Sequence, residues 1–328
     1  MSFKDDLRKV LKRNEVGNNI WYFLHLCNIE LLRLLPSKTY FQRVYRNVHK
    51  EEADFINPST FDEKQLWLKM YYRNPLCVTC SDKYRVREYV KNMGLEYILN
   101  PLYAVYDSVD EIDWERLPSR FYMKANHMSG CNVCCTDPQT FDRKEAIKRL
   151  KRGMRHNYYL DSREWNYGPI NRKIIVEAII EDKKKSPLID YRFLCTDGKC
   201  NYIFIDIGTA DVDGKHLEDA RRNVYDREMK LLDVKVTRDN FPAELVQKPP
   251  NFDEMLTIAE QLSGHFPFCR VDLYNIDGKI IFGEMTFFHS GGLSKITPKN
   301  WELKLGEPIS IEQAKWQIEH NYQEGCNE

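Results

Sequence analysis

Two acidic residues towards the C-terminal end of the chain could share a divalent cation. Asp272 lies in the segment RVDLY (270–274), and Glu284 lies in the segment IIFGEMT (280–286), which follows a turn. Because side chains alternate along a strand, Arg270 and Asp272 share one face. Carboxylate oxygens suit Mg²⁺, which usually takes one or two of them together with substrate phosphates. The pair therefore predicts a site for magnesium and phosphate.

The turn between these two segments decides whether the carboxylates meet. A two-residue turn at Asp277-Gly278 leaves Asp272 and Glu284 on opposite faces of the hairpin. A three-residue turn that includes Ile276 sets Arg270 opposite Glu284, with Asp272 diagonal to Glu284 at roughly 7–8 Å between backbones. A shared ion thus predicts a turn with an odd number of residues or a compensating bulge. The alternative is a purely structural salt bridge between Arg270 and Glu284.

A lysine followed by small and polar residues could bind phosphate. The segment FYMKA (121–125) alternates as a strand and carries Lys124, and Ser129 and Gly130 follow in the loop NHMSGCN (126–132). Backbone N–H groups in such a loop can bind phosphate oxygens while the lysine supplies positive charge. The pattern GxxxxGK[ST] is missing, so the segment is not a Walker loop. Taken alone, the pattern is also common in ordinary strand and turn segments.

A carboxylate at the end of an apolar run is a further candidate. The segment KIIVE (173–177) predicts a strand that is buried on both faces and ends at Glu177. A strand end that faces solvent is the alternative interpretation.

The elements that must position these residues favour the α+β class. Helical periodicity dominates the first 75 residues, and strands dominate from residue 120 onward. Asp-Gly pairs at 197–198 and 277–278 predict hairpin turns. Ser81 is expected to cap a helix that ends before Gly94, and another helix is expected from Asn251 to Gly264. The predicted strands lie at 97–106, 120–125, 173–177, 190–195, 201–206, 269–274 and 279–287.

A helix that begins after Asp142 carries a local excess of positive charge. Residues 143–155 contain seven Lys or Arg residues and one acid. A solvated outer face is one interpretation. Docking of an anion is the other, with an anionic glycan, nucleotide phosphates or a membrane surface as ligand. The basic stripe consists of Lys144, Lys148, Lys151 and Arg155.

Composition and charge exclude several classes of protein. The 328 residues include 49 Lys+Arg and 49 Asp+Glu with 42% hydrophobic residues, so the chain can bury a core, and its zero net charge argues against a nucleic-acid partner. No run approaches the ~18 apolar residues of a membrane span, and the first residues lack a signal-peptide core, so we expect a cytoplasmic protein. The ten cysteines are then expected to be buried thiols. A zinc-stabilised interaction module, using the cysteines at 77, 80, 131, 134 and 135, is the non-enzyme alternative.

Together these motifs resemble those of the TupA-like ATP-grasp family, over about residues 75–300. The resemblance implies the ATP-grasp fold, in which two α+β lobes hold ATP between their sheets. It implies a helical N-terminal region (1–75), a pre-grasp segment with the first lobe (76–180), and a second lobe with a C-terminal helix (181–328). The matching segments are Asp82-Lys83-Tyr84 with Arg87, Lys124 with Asn126-His127 and Ser129-Gly130, Val176-Glu177, Asp190 to Phe193, Arg270 to Tyr274, and Phe282 to Thr286.

The resemblance also implies which residues bind ATP. Lys124 would contact the α- and β-phosphates, with Lys83 as a second cation. The loop at Ser129-Gly130 would close over the phosphates. Glu177 would mark the hinge near the adenine amine, and Asp190 would lie near the ribose or triphosphate.

For the metal and the chemistry, the resemblance implies that Asp272 and Glu284 hold Mg²⁺. Arg270 and Arg192 are the implied catalytic residues, with Arg270 steadying the γ-phosphate or an acyl-phosphate. Thr286 stands where the wider superfamily usually has a metal-binding asparagine, so the number of ions, one or two, stays open.

The implied activity is that of a carboxylate–amine ligase that forms an acyl-phosphate, in the synthesis of teichuronopeptide, capsule or other cell-surface polysaccharide. A glycan that bears carboxylates, such as a uronic acid, or an amino acid would be the substrate. Peripheral contact with a membrane-linked glycan precursor is expected, and no nucleic acid. The enzymatic alternatives are a kinase or a glycosyltransferase that acts on a surface-glycan precursor.

Overall fold

The structure, a computed structural model, describes residues 34–181, 188–209 and 219–320, together with Gly17 and Ile20. The amphipathic pattern predicted before residue 34 lies almost wholly outside these residues. Within them, no helix is both long and apolar enough to cross a bilayer. The α-helices are α1 (Ser37–His49), α2 (Phe61–Tyr71), α3 (Leu76–Ser81), α4 (Val86–Asn92), α5 (Arg143–Arg155), α6 (Tyr159–Ser162), α7 (Phe252–Ser263), α8 (Asn300–Gly306) and α9 (Ile311–His320). Short 3₁₀ turns lie at Glu96–Ile98, Val109–Glu111, Trp165–Tyr167, Ala243–Leu245 and His289–Gly292.

The first sheet has four antiparallel strands in the order β1-β4-β2-β3. Every residue of the central strand β4 is buried, as its apolar run predicts. Helix α5 packs against this sheet through Ala146 and Leu150, while its charged residues face outward. The strands are β1 (Leu102–Tyr106), β2 (Phe121–Ala125), β3 (Asn132–Cys135) and β4 (Ile174–Glu177).

The second sheet has six antiparallel strands in the order β11-β10-β5-β6-β7-β8. One face packs against α7 in the largest hydrophobic core, and the other face carries charged side chains. Mixed helices and antiparallel sheets confirm the α+β class. The strands are β5 (Ile189–Thr196), β6 (Lys199–Ile207), β7 (Arg221–Asp226), β8 (Leu231–Leu232), β10 (Cys269–Ile276) and β11 (Lys279–Thr286), and β9 (Lys235–Val236) pairs separately with β12 (Ile296–Thr297).

Helices α2 to α4 share the hydrophobic core of the second sheet. Phe61 and Trp67 of α2 and Cys77 of α3 are buried in that core. Helix α2 also contacts α8, where Lys64 donates hydrogen bonds to the carbonyl oxygens of Gly306 and Ile309 at 2.9 and 2.8 Å. The N-terminal helices are therefore built into the body that carries the charged face.

Both predicted Asp-Gly turns are present, and each contains two residues. In the second of them Ile276 pairs with Lys279, so the three-residue alternative is wrong. Asp277 and Gly278 have φ values of 50° and 84°, the left-handed pair that a type I′ turn requires. The tight turn follows from this dipeptide, whose residues adopt positive φ at low cost.

A bulge in β11 compensates for the two-residue turn. Leu273 pairs with Phe282, whereas Asp272 pairs with Glu284, so Gly283 is an extra residue on the return strand. A Cβ at Gly283 would lie 2.9 Å from the carbonyl oxygen of Asp272, which explains why glycine occupies this position. The bulge places both carboxylates on the charged face.

Two predictions about helix ends had different outcomes. Asp142 caps α5 as predicted, since its side chain accepts a hydrogen bond from the backbone N–H of Glu145. The prediction that Ser81 begins a helix is wrong, because α3 ends at Ser81 and Asp82 accepts the N–H groups of Tyr84 and Arg85 before α4. A carboxylate one residue later binds those N–H groups more effectively than a hydroxyl would.

Candidate active site

The centre of the site is a guanidinium group between two carboxylates. Arg270 donates from Nη2 to Asp272 Oδ2 at 2.6 Å and to Glu284 Oε1 at 2.9 Å. Because of the bulge, Arg270 pairs across the strands with Thr286, and Asp272 with Glu284, so the expectation that Arg270 would lie opposite Glu284 is wrong. Both carboxylates nevertheless converge on one position.

The two carboxylates differ in exposure and in charge environment. The Asp272 side chain is 6% exposed, and burial raises its pKa to about 6 although Arg270 and Arg192 oppose this. The Glu284 side chain is 38% exposed. Burial would raise the pKa of Glu284 as well, but Lys83 and Arg270 outweigh it and lower the value to about 2. Glu284 is therefore ionised at neutral pH and is the more exposed of the two carboxylates.

A second ion-pair network adjoins this centre on β5 and β6. Arg192 lies 3.1 Å from Asp206 Oδ2 and 3.5 Å from Asp190 Oδ2, measured from its Nη atoms. Its Nε is buried without a hydrogen-bond partner in the described part of the chain and lies 3.7 Å from Asp272 Oδ2. Asp190 also accepts a hydrogen bond from Thr209 at 2.6 Å. The two predicted residues Asp190 and Arg192 thus lie beside the Asp272 carboxylate.

Asp206 anchors the far side of this network. It accepts two hydrogen bonds from Arg222, at 2.6 and 2.7 Å, and one from Arg238. Burial alone would raise the pKa of Asp206, but Arg192 and the other two arginines lower it to about 2. A fully buried carboxylate of this kind is stable only because the guanidinium groups compensate its charge.

His289 connects the two arginine groups. Its Nδ1 lies 2.9 Å from Arg270 Nη1, and its Nε2 lies 3.1 Å from Arg222 Nη1. Burial and the neighbouring arginines hold the pKa of His289 well below its usual value, so the ring is neutral. A neutral ring lies between the two guanidinium groups without adding charge, and it accepts a hydrogen bond from one of them.

Helix α2 holds the loop that carries His289. Three polar side chains on one face of the helix contact the loop. Gln65 accepts the backbone N–H of His289 at 3.1 Å, and Lys69 donates to the carbonyl of Gly291 at 2.6 Å. Asp62 accepts the N–H of Ser294 at 2.5 Å. The spacing 62, 65 and 69 places these residues on a common stripe.

The first sheet contributes a separate group of charges. Tyr122 pairs with Glu177 in the ladder, so Lys124, two residues on, lies diagonally across from Glu177 on the same face. Lys124 Nζ lies 2.7 Å from Glu177 Oε2, and Arg87 Nη1 lies 3.0 Å from Glu177 Oε1. Glu177 therefore holds both cations, and its strand end does not face solvent.

Lys83 lies close to the carboxylate pair and also to the charged group of the first sheet. Its Nζ lies 3.9 Å from Glu284 Oε2, and burial lowers its pKa while Glu284 opposes this. Asn126 positions the segment in two ways. Its side-chain amide donates to Asp82 at 2.8 Å, and its backbone carbonyl accepts the N–H of Lys83 at 3.1 Å. The loop after β2 therefore places Lys83 over the carboxylate pair.

The predicted phosphate loop lies in the β2–β3 connection. Ser129 and Gly130 are both exposed, and Gly130 has a φ of 82°. The carbonyl of Gly130 accepts a hydrogen bond from Arg149 of α5 at 3.4 Å. The loop thus lies at the solvent edge of the first sheet and contacts the basic helix, and its role in closing over phosphates stays a prediction.

Comparison with known proteins decides the family. Residues 63–310 match the family described as TupA-like ATPgrasp. The chain belongs to this family. The ATP-grasp fold follows from this membership, and the family predicted from the sequence motifs is confirmed. No curated protein was found to match the chain.

Solved structures of three ligases show a distant likeness to the chain. An L-amino acid ligase from Bacillus licheniformis is 15% identical with a TM-score of 0.39, over 65% of this chain and 44% of its own length. A D-alanine–D-alanine ligase from Bacillus anthracis, complexed with ATP, is 15% identical with a TM-score of 0.40, over 78% of this chain and 70% of its own. The corresponding enzyme from Helicobacter pylori is 12% identical with a TM-score of 0.41, over 78% and 66%. The chain thus spans less than half the length of the first of these ligases.

The TupA-like ATP-grasp fold implies Mg²⁺, and the carboxylate pair fits it. Arg270 Nη2 lies within 2.9 Å of an oxygen from both Asp272 and Glu284, so one cationic group already occupies a position that both carboxylates reach. Thr286 donates to Glu284 Oε1 at 3.1 Å and so orients that carboxylate. Asp272 and Glu284 would hold the ion, which supplies charge neutralisation to bound phosphates.

Four further residues of this TupA-like site do not stand out in the sequence. Their importance depends on the strand order and register, which bring residues of β6 and β7 onto the same charged face as β5 and β10. One sequence signal could have revealed part of this group. Side chains alternate along β6, so Asp206 lies on the same face as Phe204 and Tyr202. These residues are Asp206, Arg222, Arg238 and His289.

The cysteines do not form a zinc site in the described part of the chain. Cys77 and Cys80 are buried in the core of the second sheet, whereas Cys131 and Cys135 are buried in that of the first. Among the described residues, no cysteine belongs to a group of three metal ligands. The cysteine-based module therefore lacks its ligands there.

Proposed function

We propose that the chain is an ATP-dependent carboxylate–amine ligase that acts on a cell-surface polysaccharide precursor. The observation that carries this proposal is the convergence of Asp272, Glu284 and Arg270 on one position, with Lys83 beside Glu284. Carboxylates that can bind a metal ion, Asp272 and Glu284, thereby lie near a lysine that can bind phosphates. Such an arrangement suits transfer of the γ-phosphoryl group.

The chemistry has two steps. A carboxylate oxygen of the substrate attacks the γ-phosphorus, and the bond to the β–γ bridging oxygen breaks as ADP leaves with the electron pair. An amine nitrogen then attacks the acyl carbon, inorganic phosphate leaves, and the amine loses a proton. Arg270, which is buried, would offset charge on the transferring phosphoryl group, and exclusion of water would protect the acyl-phosphate.

The lysines would exchange partners when ATP binds. In the structure Lys124 is paired with Glu177, and Lys83 lies beside Glu284. Phosphate oxygens compete for both ammonium groups because phosphate, like carboxylate, accepts charge-assisted hydrogen bonds from lysine. The carboxylates thus hold the lysines in place before the nucleotide binds.

The basic face of α5 supports an anionic acceptor. Lys144, Lys148 and Arg155 are exposed, and Arg149 contacts the loop at Gly130. A glycan that bears uronic-acid carboxylates, presented on a membrane-linked precursor, would be attracted to this face. The identity of the carboxylate and of the amine is part of the proposal.

The fate of the γ-phosphate tests the reaction class. The ligase reaction should release ADP and inorganic phosphate in equal amounts, dependent on both a carboxylate and an amine. Hydroxylamine should trap the activated acyl group as a hydroxamate. Labelled γ-phosphate that stays on a glycan or sugar product, with no dependence on an amine, would show a kinase instead.

The nucleotide site has its own test. Lys124→Ala should weaken ATP binding roughly 10- to 100-fold, since a hydrogen bond to a charged group contributes about 1.5–3 kcal/mol. Calorimetry with a non-hydrolysable ATP analogue measures this. Lys148→Ala removes the same group from the exposed face of α5 and should leave the affinity for the analogue unchanged. Equal affinities of Lys124→Ala and the unaltered chain would contradict the nucleotide assignment.

A further inference from the structure

A histidine and two glutamates meet at the end of α1, apart from the proposed active site. His49 is the last residue of α1, and Lys50, with a φ of 65°, ends the helix and turns the chain before Glu51. Glu302 comes from α8. One ligand atom from each of His49, Glu51 and Glu302 lies within 4.8 Å of the others.

The orientation of the His49 ring is fixed on two sides. The ring stacks on Tyr45 with centroids 4.2 Å apart and an interplanar angle of 22°. Its Nε2 donates to Asp62 Oδ2 at 2.9 Å. With that proton on Nε2, the lone pair of a neutral ring is on Nδ1, which lies 3.3 Å from Glu302 Oε1. Two atoms with lone pairs at this distance repel each other unless a proton or a metal cation lies between them.

Negative charge exceeds positive charge at this position. Glu302 is 6% exposed and Asp62 1% exposed, and Glu302 Oε2 and Asp62 Oδ1 are buried without a hydrogen-bond partner among the described residues. Lys299 pairs with Glu51 at 2.6 Å, but its side chain is 69% exposed. The C-terminal end of α1 adds partial negative charge. Buried carboxylates of this kind stay ionised only where a cation compensates their charge.

We infer that His49, Glu51 and Glu302 bind a divalent transition-metal ion, with Asp62 orienting the histidine. An imidazole among the ligands favours zinc and its first-row neighbours over Mg²⁺ and Ca²⁺, which prefer oxygen alone. Metal-binding histidines usually donate their other ring N–H to a carboxylate, as Nε2 of His49 does to Asp62. This site is separate from Asp272 and Glu284 and does not depend on the proposed ligase activity.

The ion would connect several elements of the fold. Glu51 follows α1, Glu302 belongs to α8, and Asp62 of α2 also accepts the N–H of Ser294. A bound ion would therefore fix α1 and α8 against α2 and the loop that carries Ser294. Its expected effect is on stability, because the ligands come from segments that separate on unfolding.

Metal titration of the full chain tests the inference. The purified protein, stripped with a chelator and kept in excess Mg²⁺ to occupy the nucleotide site, should bind one Zn²⁺ or one Co²⁺ per chain. The midpoint of thermal unfolding should rise with the Zn²⁺ concentration. Glu302→Gln and Asp62→Asn should each weaken binding by roughly tenfold or more. Glu307→Gln, the same change at an exposed position of the chain, should leave the affinity unchanged.

A variant at Glu51, the half-buried ligand, separates loss of metal binding from loss of the fold. The side chain of Glu51 is 40% exposed, so Glu51→Gln should keep the circular dichroism spectrum of the metal-free chain while it weakens Zn²⁺ binding. Failure of the unaltered chain to bind stoichiometric Zn²⁺ or Co²⁺ would overturn the inference in favour of an imidazolium between two carboxylates. Equal affinities in the unaltered chain, Glu51→Gln and Glu302→Gln would overturn it as well.

Discussion

The two Asp-Gly hairpins of the second sheet have the same turn and need the same correction. In each, a two-residue turn alone would put the acid of the return strand on the apolar face. One extra residue on the return strand prevents this, Asn201 in β6 and Gly283 in β11. As a result Asp206 faces Asp190, and Glu284 faces Asp272, on the charged side.

The hairpins differ in the distance between the extra residue and the acid. Asn201 lies close to its turn, so β6 alternates regularly from Tyr202 to Asp206. Gly283 directly precedes Glu284, so Phe282 stays on the apolar face and only the end of β11 is rotated. The position of Asp206 is therefore supported by several regular pairs, whereas that of Glu284 depends on one glycine.

The largest effect should come from breaking the β11 bulge. Gly283→Ala places a Cβ 2.9 Å from the backbone oxygen of Asp272 and 3.2 Å from Tyr274, so the strand must shift and Glu284 with it. We expect ATP-dependent turnover to fall roughly 100-fold, the effect of about 1 Å of misplacement, which steady-state kinetics would measure. Unfolding in urea should show a loss of about 1–3 kcal/mol in stability.

The control for this prediction is a glycine at the end of α7. A Cβ at Gly264 would meet no atom closer than 3.6 Å, and its φ of −58° is open to alanine. Gly264→Ala should therefore keep both activity and stability. Full turnover by Gly283→Ala would show that the bulge is not needed to place Glu284.

A smaller effect is expected from acid titration of the β6 carboxylate. Asp206 has a pKa of about 2 in the folded chain against 3.8 ordinarily, so its ionised form stabilises the fold above pH 4. This contribution, about 2 kcal/mol, should be lost as the pH falls from about 4 to 2. Urea unfolding of the unaltered chain and of Asp206→Asn across this range measures it. The difference in stability between the two should shrink towards low pH, and a constant difference would contradict the assignment.

The smallest effects concern the turns themselves. Gly198 and Gly278 have φ values of 78° and 84°, so alanine at either position should cost about 1 kcal/mol. A Cβ at Gly198 would also lie 3.3 Å from the Cα of Gly264, while one at Gly278 meets nothing within 4 Å. Gly198→Ala should therefore lower the unfolding midpoint more than Gly278→Ala. The reverse order would show that the turn of β5–β6 has room to adjust.

Local patterns predicted much of the fold. The apolar run before Glu177, the cap at Asp142 and both Asp-Gly turns depend on near neighbours in the sequence, and all four are present. The glycine inside the IIFGEMT segment is itself a bulge signal, and it could have replaced the three-residue turn as the explanation for a shared ion.

The rest of the candidate site depends on distant parts of the chain. His289 gains its place from Gln65 of α2 and from two arginines on different strands. Asp206 faces Arg222 only because β6 and β7 pair in one particular register. No local pattern encodes these contacts. The sequence therefore pointed to the carboxylate pair with Arg270 and Arg192, but not to Asp206, Arg222, Arg238 and His289 around it.

The stripe on α2 has a consequence for synthesis of the chain. Lys69 and Asp62 are separated from their loop partners, Gly291 and Ser294, by 222 and 232 residues. On the ribosome α2 emerges long before that loop, and its polar stripe must stay hydrated until nearly all of the described chain has been translated. Contacts of such sequence separation form slowly. The contacts that surround Arg270, including that with His289, should therefore be among the last to form after translation.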